Sequence, residues 1–167
     1  MIKNMNLASD DFTLLSVPQQ YAIDLTVLHT QWKIIMAKTH PDRFIHNSAN
    51  EQRLAMQWSM RINEAYQRLK NPLKRAEYLC HLRGININTE NNTAMPAAFL
   101  MQQIEWREAL ENACNYTDKQ RIKSELLAQA DDYENSIQAA LDVDNDTNTA
   151  VTSVLSWLFI DKLIKQI

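Results

Sequence analysis

The strongest constraint on this chain is its shortage of glycine, because Gly84 is the only glycine in 167 residues. Average usage of roughly 7% would give about a dozen. Tight two-residue hairpins, dinucleotide-binding turns and phosphate-cradling loops all need glycine at positive φ or at a close backbone approach. A Rossmann fold, a P-loop ATPase and an all-β barrel are therefore disfavoured. Since only four prolines interrupt the chain, the composition predicts an all-α protein.

Three further features of the sequence concern its compartment. Cys80 and Cys114 lack the spacing of a metal-binding or redox pair, and we expect two buried thiols in a reducing compartment. The N-terminus lacks the charged start and apolar stretch of a secretory signal. No uninterrupted apolar run approaches the length of a membrane span. We therefore expect a cytoplasmic protein that does not associate with membranes.

Charge is distributed unevenly along the chain. Residues 1–83 carry 11 Lys and Arg against 7 Asp and Glu, a net of +4, whereas residues 84–167 carry a net of −7. This asymmetry predicts two surfaces with different partners, although a drift in the composition of solvated helix faces explains it equally well. The positive excess is small and the second half is acidic, so the sequence does not support nucleic-acid binding.

Apolar residues at helical spacing predict seven helical segments. These cover residues 10–18, 24–40, 50–70, 72–83, 97–113, 118–141 and 148–167. The predicted core positions are Leu25, Leu28, Trp32 and Ile35 in the second segment, Ala55, Trp58, Ile62, Ala65, Tyr66 and Leu69 in the third, and Ile122, Leu126, Ala130, Tyr133, Ile137 and Leu141 in the sixth. In the last segment Val151, Val154, Leu155 and Leu158 form the apolar stripe, with Phe159 and Leu163 off it.

An Asn-rich polar stretch divides these helices into two groups. Residues 84–96 contain the glycine and a proline, and we interpret them as a linker. Residues 1–83 then form an N-terminal domain with a helical hairpin and short helices. Residues 97–167 form a C-terminal bundle of three helices, because short loops between helices favour antiparallel packing.

The most informative motif is the tripeptide His40-Pro41-Asp42 between two long amphipathic helices. The helix before it must end ahead of Pro41, since the residue preceding a proline is driven out of the helical region. The two helices would pack antiparallel, with the tripeptide at the tip of the hairpin. A rigid proline between an imidazole and a carboxylate gives a well-defined polar feature; the alternative is an ordinary loop whose polar groups only cap helix ends.

Segments in both halves resemble one family of co-chaperones. Three resemble a J-domain, the ATPase-stimulating module of co-chaperones of DnaK-type chaperones: residues 10–18, 40–42 and 62–66 (INEAY). Three more are similar to HscB, the iron–sulfur-cluster co-chaperone: NPLKRAEYLCHLRG at 71–84, AFLMQQIEWREAL at 98–110 and FIDKL at 159–163. The resemblance to the HscB family covers nearly the whole chain.

The resemblance implies an N-terminal J-domain and a specific function. HscB-like proteins bind an IscU-like scaffold protein, deliver it to the HscA chaperone and stimulate ATP hydrolysis there, which aids iron–sulfur cluster assembly and transfer. The residues that would contact the chaperone are His40, Pro41, Asp42, Lys33, Lys38 and Arg43. The residues that would contact the scaffold are Leu100, Met101, Ile104, Glu108 and Phe159. No metal or other cofactor is implied.

Helical geometry supports an exposed apolar face independently of this resemblance. At about 100° per residue, Phe99, Trp106 and Leu110 cluster within about 20° of one direction. Three other apolar residues cluster about 100–200° away from it, near Glu108 and Glu111: Leu100, Met101 and Ile104. If the first cluster faces the core, the second is exposed, as in a protein-binding patch. The alternative is a wide-faced helix that buries both clusters.

The sequence departs from the J-domain pattern at several positions. Gln31 and Ala37 are neutral where relatives often have arginine, which leaves Lys33 and Lys38, with His29 nearby, as the main basic groups before the tripeptide. The other departures are Thr39 in place of an aromatic residue, Arg43 in place of lysine and Ser16 in place of a glycine. These departures leave the role of the tripeptide intact, and the size of the basic contribution to chaperone docking stays open.

Enzymatic activity is not expected. The four histidines form no arrangement with a nucleophile or a paired carboxylate, and adjacent Cys80 and His81 point to different sides of a helix. Two alternatives to the HscB-like function stay open. One is a J-domain co-chaperone for a different client, and the other is a helical adaptor that no longer stimulates a chaperone.

Overall fold

The computed structural model describes residues 6–87 and 95–167, and every regular element in those ranges is helical. The α-helices are α1 (Asp11–Leu14), α2 (Leu25–Thr39), α3 (Ala49–Lys70), α4 (Pro72–Leu82), α5 (Ala97–Asn112), α6 (Tyr116–Ala139) and α7 (Thr147–Ile164). A 3₁₀ turn spans Pro41–Phe44, and a π-helical turn at Ala140–Asp144 follows α6. The predicted all-α class is confirmed.

The chain forms two compact units, Met1–Arg75 and Ala76–Ile167. The division falls within α4, earlier than the boundary that the sequence predicts after residue 83. Most of the predicted linker at 84–96 lies outside the described residues, namely 88–94. The division into a domain at 1–83, a linker and a domain at 97–167 therefore stays a prediction.

A helical hairpin organises the first unit. Helices α2 and α3 are antiparallel, because His29 Nδ1 lies 2.9 Å from the Tyr66 hydroxyl while Ser59, earlier in α3, hydrogen-bonds the Thr39 carbonyl at the end of α2. All six predicted core residues of α3 are buried. In α2, Leu28 and Ile35 are buried, but Leu25 is 49% exposed. The prediction for Leu25 is wrong because this residue opens the first turn of α2 and extends beyond the hairpin core.

Side-chain caps fix where the hairpin helices begin. The Asp24 carboxylate accepts hydrogen bonds from the N–H groups of Thr26 and Val27 at the start of α2. Ser48 and Glu51 form a reciprocal capping box at the start of α3, and the hydrogen bonds from Ser48 lower the pKa of the Glu51 carboxyl. These caps satisfy backbone donors that a helix otherwise leaves unpaired. The loop between the helices is therefore held at both ends.

In the second unit, α5, α6 and α7 supply the core. Helices α6 and α7 make the most extensive contact, and Leu126, Ile137, Val154 and Ile160 are fully buried. Leu163 is also buried, so its predicted position off the apolar stripe of α7 does not keep it from the core.

Gly84 and the two cysteines sit in contrasting surroundings. Gly84 has φ +71° just beyond α4, a conformation that other residues rarely adopt.

Cys80 is buried, whereas Cys114 is exposed in the short connection between α5 and α6, so the expectation of two buried thiols is wrong for Cys114.

Candidate functional site

The tripeptide His40-Pro41-Asp42 lies at the tip of the α2–α3 hairpin. Helix α2 ends at Thr39, and His40 adopts an extended conformation with ψ 130°, as expected before a proline. Pro41 then starts a 3₁₀ turn. The side chains of His40 and Asp42 are 50% and 79% exposed. Both polar groups are therefore available to a partner at a rigid turn.

The proton on the His40 ring can be assigned from its neighbours. The Nδ1 atom lies 3.3 Å from the Asp42 backbone nitrogen and 3.4 Å from its carboxylate oxygen Oδ2. A neutral ring accepts the backbone N–H at Nδ1, whereas an ion pair with the carboxylate needs a protonated Nδ1, so the two cannot coexist. The Asp42 N–H lies at the start of the 3₁₀ turn and donates to Nδ1. His40 then presents its Nε2–H outward as a donor beside an exposed carboxylate.

The predicted basic residues surround this tip to different degrees. Lys38 and Arg43 line a cavity of about 720 Å³ together with Ile34 and Phe44. The Arg43 guanidinium also donates to the Ala37 carbonyl at 2.8 Å and places its charge at the negative end of α2.

Lys33 is exposed on α2 but does not line the cavity. His40, Pro41 and Asp42 do not line this cavity, so Lys38 and Arg43 adjoin the tripeptide through their neighbouring positions in the chain, and Lys33 lies farther along the helix.

His29 adds little to this basic surface. Its ring stacks on Trp32 with centroids 5.5 Å apart and lies 2.9 Å from the Tyr66 hydroxyl through Nδ1. Trp32 and Tyr66 also stack on each other, at 4.7 Å. The half-buried His29 is therefore part of an aromatic cluster between the hairpin helices.

Part of the first unit's positive charge is used inside the fold, which the net charge of the sequence does not reveal. Asp11 is fully buried, and its carboxylate lies 2.7 Å from Arg61 and 2.6 Å from Arg68. Arg75 is also buried and stacks over the Tyr21 ring. One sign of this use was present in the sequence, because Arg61 and Arg68 lie two turns apart and so share one face of α3. The net charge of residues 1–83 thus overstates the basic surface.

Two departures from the J-domain pattern have a structural account. Thr39 is buried, its hydroxyl donates to the Ile35 carbonyl, and its own carbonyl accepts from Ser59, so a small polar residue is satisfied there. Ser16 has φ 54°, in the left-handed region that favours glycine. A side chain at that position costs backbone strain.

The second unit exposes the apolar face that helical geometry predicts. On α5, Leu100 is 48%, Met101 65% and Ile104 57% exposed, while Phe99 and Trp106 are buried. The predicted exposure is confirmed, and Leu110 is half-buried. Glu108 is exposed on the same helix. We call Leu100, Met101 and Ile104 the α5 patch; its binding partner stays a prediction.

Phe159 connects α7 to α5. Its ring meets Phe99 edge to face at 6.0 Å between centroids, and the Arg107 guanidinium lies 5.3 Å above it. The side chain is half-buried, so only part of it is available to a partner. The structure thus places Phe159 against α5, while its predicted contact with a scaffold is untested.

Residues 6–87 and 95–167 contain neither a metal-binding cluster nor a helix that could span a membrane. These ranges hold no group of three or more His, Cys, Asp and Glu side chains suited to a metal ion. None of the helices described has the length and apolarity of a membrane span.

Comparison with known proteins gives a consistent picture. Residues 95–167 match the family model of the HSCB C-terminal oligomerisation domain. The chain is 43% identical to the Co-chaperone protein HscB homolog of Bordetella avium, with 96% of this chain and 97% of that protein covered.

Two solved structures are also similar. Chaperone HscB from Vibrio cholerae superposes with a TM-score of 0.81 at 32% identity, covering 95% of this chain and 94% of that one. Human co-chaperone protein HscB superposes with a TM-score of 0.91 at 23% identity over 97% of this chain and 82% of that one, which shows the shared fold. With an exposed His-Pro-Asp tip in its first unit and an exposed apolar helix face in its second, the chain belongs to the HscB family of co-chaperones.

Proposed function

We propose that this protein binds an IscU-like iron–sulfur scaffold through its C-terminal unit and delivers it to a DnaK/HscA-type ATPase chaperone. There it stimulates ATP hydrolysis and so aids cluster assembly and transfer. One observation carries the proposal: each compact unit exposes a surface with a distinct chemistry. The first offers a rigid polar tip at His40-Pro41-Asp42, and the second offers the α5 patch.

The tip suits a contact that depends on hydrogen bonds and charge. The exposed Asp42 carboxylate accepts hydrogen bonds, His40 donates through Nε2–H, and Pro41 limits the backbone freedom lost on binding. The cations of Lys38 and Arg43 beside the tip, with Lys33 farther along α2, favour a partner surface that carries carboxylates. No group in this arrangement performs chemistry, and we propose that the protein acts without a cofactor and without catalysis of its own.

The α5 patch suits a contact that depends on burial of apolar surface. Its three side chains are about half exposed or more, and Glu108 stands beside them. Apolar centres with a polar rim are typical of protein interfaces, where a few buried anchors carry most of the affinity. The patch would bind the scaffold, with Phe159 contributing from α7.

The chaperone function is tested by the ATPase rate of a DnaK/HscA-type chaperone. Asp42→Asn and His40→Gln should fold normally and abolish stimulation, because both groups are exposed at the tip. Asp24→Asn is the matched control, since it changes an exposed aspartate at the other end of α2 and preserves the cap. Undiminished stimulation by saturating Asp42→Asn would show that the tip does not carry the stimulation, whereas a wild type that does not stimulate would favour an adaptor without a functional J-domain.

The client is tested separately by calorimetric titration with the scaffold. Replacing Leu100, Met101 and Ile104 with alanine should abolish scaffold binding and leave the melting temperature near that of the wild type. Leu127→Ala and Val143→Ala, at other exposed apolar positions of the second unit, should bind normally. Normal binding by the triple variant with a normal melt would move the client site elsewhere.

A further inference from the structure

Arg107, next to the α5 patch, contacts the aromatic ring of Phe159 on α7. Arg107 lies one turn after Ile104 on α5, and its guanidinium covers the Phe159 ring at 5.3 Å from the centroid. Within residues 6–87 and 95–167, Arg107 makes no hydrogen bond and no ion pair, although Glu108 and Glu111 are close in sequence. Its N–H donors are therefore free.

The ring of Phe159 holds this guanidinium in place without using its donors. Phe159 is itself fixed by its edge-to-face contact with the buried Phe99. A cation–π contact uses the charge of the guanidinium and not its N–H groups, which can still pair with the two oxygens of a carboxylate. The stack thus limits the side-chain freedom that Arg107 would lose on binding.

A cavity of about 350 Å³ opens beside this stack. It is lined by Arg107, Leu110, Glu111, Phe159, Lys162, Leu163 and Gln166. Two cations oppose one carboxylate in this lining, so the cavity favours an anionic group. Its size admits a single side chain better than a helix, and its apolar wall suits the methylene groups of an acidic residue.

We propose that this cavity receives an aspartate or glutamate side chain of the scaffold, which Arg107 binds through a paired contact to both carboxylate oxygens. The proposal rests on the proposed function, because it extends the scaffold surface from the α5 patch toward α7. Glu108, which falls within the arc of the patch, would instead favour a cation of the scaffold. The alternation of Glu108 and Arg107 along α5 then fixes the orientation of the scaffold, which apolar contacts alone would not.

Calorimetric titration of the whole protein with the scaffold tests Arg107. Arg107→Ala should weaken binding at least about tenfold. Arg107→Lys should also weaken it, since lysine keeps the charge but loses the planar fork. Arg121→Ala is the matched control, an exposed arginine on α6 of the same unit, and should bind within about twofold of the wild type. Binding of Arg107→Ala within twofold of the wild type would overturn the proposal.

A second measurement separates recognition from a structural role of Arg107. Each acidic residue of the scaffold is changed to its amide and titrated against the wild type and Arg107→Ala. One scaffold variant should lose affinity for the wild type but none for Arg107→Ala, whatever the melting temperature of that variant. Absence of such coupling at every scaffold carboxylate would show that Arg107 only supports Phe159. A wild type that does not bind the scaffold at all would instead refute the proposed function.

Discussion

Removing the charge of Asp11 should destabilise the first unit more than any surface change there. Asp11→Asn keeps the size of the side chain but replaces a carboxylate that lies 2.7 Å from Arg61 and 2.6 Å from Arg68. Breaking a buried ion pair by removing one partner costs about 3–5 kcal/mol. Both arginines are partly exposed and can regain water, so we expect the lower end, about 3 kcal/mol. That is a large fraction of a domain's stability of about 5–15 kcal/mol.

Urea unfolding, followed by hydrogen exchange of α3 peptides, measures this loss in the first unit alone. With a slope of about 1–3 kcal/mol per M, the midpoint should fall by at least about 1 M. Glu64→Gln is the matched control, because it removes the exposed partner of the same Arg68 and should cost less than about 1 kcal/mol. A loss below about 1 kcal/mol for Asp11→Asn would refute the reasoning that the fold depends on this buried pair.

Three further predictions concern backbone strain, thiol reactivity and pH. Gly84→Ala should lower the free energy of unfolding by about 1–2 kcal/mol in a denaturant titration, because alanine is strained at a φ of +71°. The added methyl meets no neighbouring atom, so this backbone strain is the whole cost. Cys114 should react with a thiol reagent in the native protein, whereas Cys80 should react only on unfolding, since burial raises the pKa of its thiol to about 11; mass spectrometry after timed labelling distinguishes them. Asp146 caps α7, and hydrogen bonds from Thr149 lower the pKa of its carboxyl from the usual 3.8. The ionised carboxylate therefore stabilises the folded protein fully above pH 3.8, and this stabilisation is lost as the pH falls through the lowered pKa. The difference in melting temperature between Asp146→Ala and the wild type should therefore shrink in acid.

The sequence predicted the helices and one exposed face well because both depend on local spacing. The apolar period of three and four residues gave the buried face of α3, and the angular separation on α5 gave the exposure of Leu100, Met101 and Ile104. Proline and capping residues gave the limits of α2, from Asp24 to the residues before Pro41. These features need no knowledge of distant contacts.

The features that the sequence missed depend on contacts between distant residues. Asp11 lies at the start of the first helical segment, where an aspartate usually caps the helix. Its burial follows only from its ion pairs with Arg61 and Arg68, which lie 50 or more residues away. The stacking of Arg107 on Phe159 likewise joins two helices. Leu25 fits the apolar period of α2 but lies in its first turn, where half of its side chain is exposed. Periodicity describes one helix at a time and does not report what packs against its ends.

The central claim is that one chain joins chaperone stimulation to scaffold binding. The most direct test is the ATPase rate of a DnaK/HscA-type chaperone with saturating scaffold. This rate is measured with the wild type and with a mixture of two variants, Asp42→Asn and the variant in which Leu100, Met101 and Ile104 are replaced by alanine. We expect the wild type to stimulate strongly and the mixture not to restore this rate, because delivery needs both surfaces on one molecule. A mixture as active as the wild type would contradict the claim.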